Sequence, residues 1–122
     1  MITNFLWVAL GGAIGASARY GVGLLLINVS NLFPFATLVV NIAGSFLLAL
    51  LFASPFATPE SQQQLWLLLG VGVLGAFTTF STFSLDVVLL LQQGDWIKAA
   101  LYAALNVFGC IAAVGLALWI KI

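Results

Sequence analysis

The densest chemistry in this sequence lies in ten consecutive residues, Gly75-Ala76-Phe77-Thr78-Thr79-Phe80-Ser81-Thr82-Phe83-Ser84. Hydroxyl groups occupy Thr78, Thr79, Ser81, Thr82 and Ser84, with long apolar sequence on both sides. They can bond back to the preceding helical turn and leave a regular helix. Alternatively the helix is interrupted near Gly75, and the unwound turn offers carbonyls to a cation and helix N-terminal amides to an anion. Hydrocarbon tolerates such an interruption only where the backbone faces protein or a wet cavity. Hydroxyls this concentrated, following a glycine, favour the interrupted form.

Other residues could join this chemistry. Phe80 and Phe83, three apart, share a helix face; they either pack as ordinary core or turn positive ring edges toward an anion. Asn41 stands in a stripe with Thr37, Gly44 and Ser45 at helical spacing. Its amide either ties two helices together or donates to an anion without trapping it. Tyr102, Asn106 and Cys110 recur at intervals of four and form a second polar line. Arg19 is a cation inside an apolar run, a placement that costs about 2.5–3.5 kcal/mol at the bilayer centre. It snorkels to the interface, draws anions into a vestibule, or holds a neighbouring helix.

What is missing excludes whole classes of activity. With no histidine, Ser-His-Asp and Cys-His catalysis and the commonest transition-metal sites are ruled out, and nothing here reads as an enzyme. Three dispersed basic residues give no footprint for nucleic acid. Gly70-Val71-Gly72-Val73-Leu74-Gly75 matches a dinucleotide fingerprint letter for letter, but its context is a membrane-length apolar run instead of a βαβ unit. Its glycines are better read as sites of close packing or of a backbone break.

The elements that must position these residues follow from composition. Hydrophobic side chains make up 64% of 122 residues and charged ones 5%, against roughly 25% charged in soluble domains. Residues 20–59, 61–85 and 99–120 carry no charge, and a helix needs about 20 apolar residues to cross a bilayer. The sequence therefore predicts an all-α membrane protein, a single four-span domain over residues 1–122. Its spans run from about 4 to 27, 34 to 53, 65 to 91 and 96 to 120. The polar turn Asn28 to Asn31, a proline-bearing connection from Ser54 to Gln64, and Gln92-Gln93-Gly94-Asp95 separate them. Trp7, Trp66, Trp96 and Trp119 fall near span ends, where amphipathic rings favour the interface. Lys121 and the α-amine on one side balance Lys98 on the other, with Arg19 inside the first span, so charge hardly fixes an orientation. Either one residue tips the topology, or chains insert both ways and pair head to tail. A bundle this small packs its own centre, which places a permeation path between subunits.

With those residues assembled, the chain resembles the CrcB or Fluc fluoride channels of microbial membranes over nearly its whole length. The resemblance rests on Gly11-Gly12-Ala13-Ile14-Gly15-Ala16-Ser17-Ala18-Arg19-Tyr20, on Asn41-Ile42-Ala43-Gly44-Ser45-Phe46, and above all on the Gly75 to Ser84 run. It implies passive export of fluoride across the bacterial inner membrane by a multi-pass, dual-topology antiparallel homodimer with two pores, limiting fluoride toxicity. It further implies a third helix broken at Gly75 to Thr78, whose Gly75 and Thr78 carbonyls from both subunits hold a structural sodium ion. Asn41, Phe80, Phe83, Ser81, Thr82, Tyr102 and Thr37 become pore residues by the same resemblance, and Arg19 the vestibule arginine. Ala76, Asp86, Asn106 and Cys110 depart from the family pattern, the last two standing where small hydroxyl residues are expected. A small proton-coupled multidrug exporter is the alternative; it needs a membrane carboxylate, for which Asp86 is the sole candidate. A noncatalytic assembly subunit is a third reading, and it would give no flux. A cysteine placed at either terminus is expected to be partly accessible and partly protected in intact cells. Uniform protection of one terminus counts against insertion both ways.

Overall fold

The structure is a computed structural model and describes residues 1–55 and 62–121. Most of the proline-bearing connection, with Glu60, lies outside the described residues. Those described are helical, with no strand among them: α1 (Ile2–Leu25), the single turn α2 (Ile27–Ser30), α3 (Phe35–Phe52), α4 (Gln63–Trp66), a π-helical stretch (Leu67–Leu74), α5 (Gly75–Phe77), α6 (Phe80–Gln92) and α7 (Trp96–Lys121). Four helical spans are long and apolar enough to cross a membrane: Ile2–Leu25, Phe35–Phe52, Gln63–Gln92 and Trp96–Lys121. These are the four spans read from charge spacing, with ends displaced by at most two residues. The first ends early because Leu26 leaves helical geometry at φ −101°, ψ 10°. The polar residues after it form α2 instead of an open turn, and the Ser30 hydroxyl accepts the Ala36 N–H at 3.3 Å to lead into α3.

The surface is that of a protein solvated by hydrocarbon. Leu25 and Ile97 are 83% and 84% exposed, whereas the inward cluster of Leu38, Phe83, Leu90, Ala99 and Tyr102 is buried. α3 packs on α7, α6 on α7, and α1 on the π stretch and α5. The third span is thus held between α1 and the α3–α7 pair, and it is the only one with irregular backbone at its centre among the described residues.

Glycine explains how closely α1 meets that span. A Cβ at Gly11 would overlap the Leu68 carbonyl, and one at Gly15 the Val73 carbonyl. Reciprocally, a Cβ at Gly72 would stand 2.7 Å from the Gly11 Cα. The two backbones therefore touch without intervening side chains, the contact that small residues four apart permit. The glycine-rich segment, read from sequence as close packing or a break, is close packing in a widened π turn. Gly12 lies one residue off this face, and a Cβ there meets nothing within 4 Å. Gly15→Val, facing a backbone that cannot yield, is expected to destabilise the protein by at least about 1–3 kcal/mol. Gly12→Ala should be neutral or slightly stabilising, as its helix propensity predicts. Thermal unfolding in detergent of the two variants, side by side, checks the pair.

Candidate functional site

α5 ends where Thr78 (φ −83°, ψ 157°) and Thr79 (φ −152°, ψ 119°) adopt extended backbone, and α6 begins at Phe80. Gly75 itself stays helical at φ −63°, ψ −36°, so the extended pair falls at the C-terminal edge of the segment the sequence marked. Threonine, β-branched and stiff, suits extended geometry better than glycine does.

Two side chains receive this segment. The Asn41 Oδ1 accepts the Thr79 N–H at 2.8 Å, while Asn41 Nδ2 donates to the Thr79 carbonyl at 3.0 Å. One side-chain amide thereby serves both peptide groups of an extended residue. Thr79 then caps α6: its Oγ1 accepts the Thr82 N–H at 3.2 Å and donates to Thr82 Oγ1 at 3.1 Å. Thr78 leans the other way, its hydroxyl donating to the Leu74 carbonyl at 3.0 Å and its methyl filling the space a Gly44 side chain would occupy.

These bonds release carbonyls. In a continuous helix the Thr79 N–H would meet the Gly75 carbonyl and the Thr82 N–H the Thr78 carbonyl. Asn41 takes the first N–H and the Thr79 hydroxyl takes the second. Gly75 and Thr78 are left with hard oxygen donors three residues apart, and Gly75 lies on the exposed face of the span.

Arg19 reaches the same segment from α1, its Nε donating to the Ala76 carbonyl at 3.1 Å. Hydrogen bonds to charged groups contribute about 1.5–3 kcal/mol, which offsets part of the cost of a cation within a span. Asn41 continues the network on its other side, Nδ2 donating to Asn106 Oδ1 at 3.0 Å, and Asn106 Nδ2 donates to the Tyr102 carbonyl at 3.1 Å.

Two cavities flank Thr79. One of about 250 Å³ is lined by Asn41, Ser45, Thr78, Thr79, Phe80, Phe83, Asn106, Val107 and Cys110. The other, about 240 Å³, is lined by Arg19, Gly23, Ala36, Thr37, Val40, Thr79 and Thr82. The sequence-derived residues thus divide: Asn41, Phe80, Phe83 and Thr78 on one cavity, Arg19, Thr37 and Thr82 on the other. Ser81 lines neither, its Oγ 3.2 Å from Thr79 Oγ1 on the exposed side. Tyr102 is fully buried and donates its hydroxyl to Asp86 Oδ2 at 2.7 Å. The rings of Phe80 and Phe83 stand 5.3 Å apart at 55°, and Phe83 lies 5.6 Å from Tyr102. Phe83 is buried while Phe80, 76% exposed, projects from the chain.

Sequence reasoning missed Thr79 as an individual. It belonged to the hydroxyl run, yet it is the residue both cavities share and the one that caps α6. A threonine three before Thr82, at the start of a helix-length segment, carried the capping signal.

Comparison with known proteins follows the same residues. Positions 6–118 match the family model described as CrcB-like protein, Camphor Resistance (CrcB). The chain is 56% identical over 115 residues to the Fluoride-specific ion channel FluC of Idiomarina loihiensis, covering 93% of this chain and 88% of that one. It is 49% identical over 114 residues to the Fluoride-specific ion channel FluC of Shewanella sp. (strain ANA-3), covering 93% and 91%.

Cys110, the one cysteine of the chain, lines the 250 Å³ cavity and makes its occupancy measurable. A small neutral methanethiosulfonate reagent is expected to label Cys110 in proteoliposomes and to block ion efflux, with Cys110→Ser losing both effects. Complete labelling with undiminished efflux would show that the ion does not pass this cavity.

Proposed function

The chain belongs to the CrcB family, and from that premise we infer that it is a fluoride-specific ion channel of a multi-pass membrane protein, a transporter and not an enzyme. The observation that carries this reading at the level of geometry is the 250 Å³ cavity beside the extended Thr78–Thr79 segment, furnished with amide and hydroxyl groups, two phenylalanines and no charged side chain. Fluoride is small and strongly hydrated, so a selective path must replace its water with several donors. Uncharged donors allow exit as well as entry, since conduction requires binding weak enough to release. Ring edges of Phe80 and Phe83 add positive electrostatic potential without a full charge. Arg19 supplies the full charge in the adjoining cavity, where it raises the local concentration of anions.

The working unit is an antiparallel, dual-topology homodimer with two pores, moving fluoride passively out of the cell through the bacterial inner membrane and so limiting its toxicity. The near-even charge of the two sides supports insertion both ways. Phe80, exposed on one chain, reaches its pore position against a second. Broken in this way, the third helix also offers a place for a structural sodium ion. The Gly75 and Thr78 carbonyls, relieved of their helical donors, fit a hard cation, and a twofold axis through Gly75 turns two such oxygens into four. When bound there, sodium would supply fixed positive potential. Pore lining extends to Asn41, and to Thr37 and Thr82 in the adjoining cavity; Ser81, on the exposed side, joins it against a second chain, and Tyr102 backs it through its contact with Phe83.

A proton-coupled exporter would need a carboxylate within a span, for which Asp86, bonded to the Tyr102 hydroxyl, is the sole candidate, and the similar proteins are named as fluoride channels. Purified protein in liposomes is expected to release fluoride, read by electrode, and to retain chloride. Phe80→Ile and Phe83→Ile should each slow release at least about tenfold, a barrier increase of about 1.4 kcal/mol, with the dimer intact on size exclusion. Wild-type rates in both variants would remove the phenylalanines from the path.

A further inference from the structure

We propose that the groove between α3 and the π stretch seats one acyl chain of an anionic phospholipid, with the headgroup phosphate at Lys121. The inference rests on the membrane-spanning reading and stands apart from the pore.

α3 turns a regular stripe toward this groove, Leu47, Leu50, Leu51 and Ser54 falling on one helix face. Leu69, Val73 and Leu74 form the facing wall. Together they border about 370 Å³, and among the described residues that line it Ser54 and Lys121 alone carry polar side chains. Both stand at one end of the groove. Ser54 follows the C-terminus of α3, and Lys121 lies in the last turn of α7. From Ser54 in to Leu47 is about 10 Å along a helix axis, roughly two-thirds of one leaflet of a 30 Å hydrocarbon core. The groove thus descends from headgroup level into the acyl region, polar and apolar in the same order as a phospholipid.

Charge selects the headgroup. The carboxylates among the described residues, Asp86 in α6 and Asp95 just before α7, lie toward the opposite membrane face, where Asp95 holds Lys98 at 3.5 Å. Lys121 has no acidic partner among the described residues. The Ser54 hydroxyl is spent on the Leu51 carbonyl at 2.6 Å, so Lys121 alone meets the phosphate. A cation in the last turn suits the helix dipole with or without lipid, but the dipole gives no reason for an apolar groove beneath it. Trp119, 72% exposed, marks the same interfacial depth. A larger groove of about 620 Å³ between α3 and α7, which includes Ile42 and Gly109, is apolar throughout and offers a headgroup nothing.

The groove also stays open in the proposed dimer. Val71 and Gly75 are exposed on the side of the third span where the twofold axis would pass. Leu69 and Val73 precede them by two residues, and positions two apart do not share a helix face. Antiparallel pairing then puts one such groove in each leaflet. A seated chain covers Leu74, whose carbonyl accepts both the Thr78 N–H at 3.1 Å and the Thr78 hydroxyl at 3.0 Å, so the lipid lies against the near edge of the helix break.

Native mass spectrometry of delipidated protein in detergent, titrated with phosphatidylglycerol or phosphatidylcholine of identical acyl chains, tests the assignment. Wild type is expected to hold phosphatidylglycerol about fivefold more tightly, the contribution of one lysine near a membrane surface, with the preference shrinking as salt rises. Lys121→Gln should bind the two lipids equally, and Lys121→Arg should keep the preference. Leu50→Trp, which fills the groove and leaves Lys121 in place, should weaken binding of both. Each variant is compared after recovery at the wild-type elution volume. Equal affinity of wild type for the two lipids, or an undiminished preference in Lys121→Gln, would overturn the inference. Leu50→Trp binding phosphatidylglycerol as wild type does would place the lipid outside the groove and overturn it as well. Fluoride release plays no part in the readout, so failure of the channel reading would leave this result standing.

Discussion

An extended residue inside a membrane helix strands a donor and an acceptor, and in this protein one side chain, Asn41, meets both at Thr79. An amide group moved into an apolar medium without a partner costs about 2–7 kcal/mol depending on the reference, so leaving both groups of Thr79 unpaired would rival the stability of a whole small domain. The extended turn therefore exists where Asn41 is, and the other features of the segment descend from that pairing. Withdrawing the Thr79 N–H from the helix leaves the Gly75 carbonyl without a donor, and the Thr79 side chain, once extended, restarts the helix as α6. Arg19 secures the near side through the Ala76 carbonyl.

Packing makes this pairing available. Gly11, Gly15 and Gly72 let α1 and the π stretch meet backbone to backbone, which brings Arg19, one turn beyond Gly15, to the end of α5. On the opposite side Gly44 leaves room for the Thr78 methyl, and the α3–α7 contact lays Asn41 beside Asn106. The result is a row of amides running from the third span through α3 to α7, each oriented by the next. Backbone groups that can only donate or only accept fix its two ends. A row so constrained has one direction.

Much of this was legible along the chain. Four spans, their ends and the tryptophans beside them follow from charge spacing, because hydrocarbon excludes charge whatever the tertiary arrangement. Hydroxyl density located the irregular segment within the third span, and helical spacing gathered Thr37, Asn41, Gly44 and Ser45 onto one side of α3. The π stretch was not legible: Gly70-Val71-Gly72 permits a widened turn but does not demand one, and contact with α1 selects it. Likewise Thr79 could not be told from its hydroxyl neighbours, since all five are able to cap or to bond back.

Sequence by itself determined a four-span membrane domain, the resemblance to fluoride channels, and the set of uncharged polar residues from which any path must be built. These are local properties, set by what each residue costs in hydrocarbon and by the period of the helix. Which polar group faces which was decided only by the fold. Asn41 could have tied helices together or met an anion, and Arg19 could have snorkelled, guarded a vestibule or held a neighbour. The structure engages Asn41 with Thr79 and Asn106, and Arg19 with Ala76, because a hydrogen bond needs its partner within about 3 Å. Spacing along one helix carries no information about where another helix crosses it.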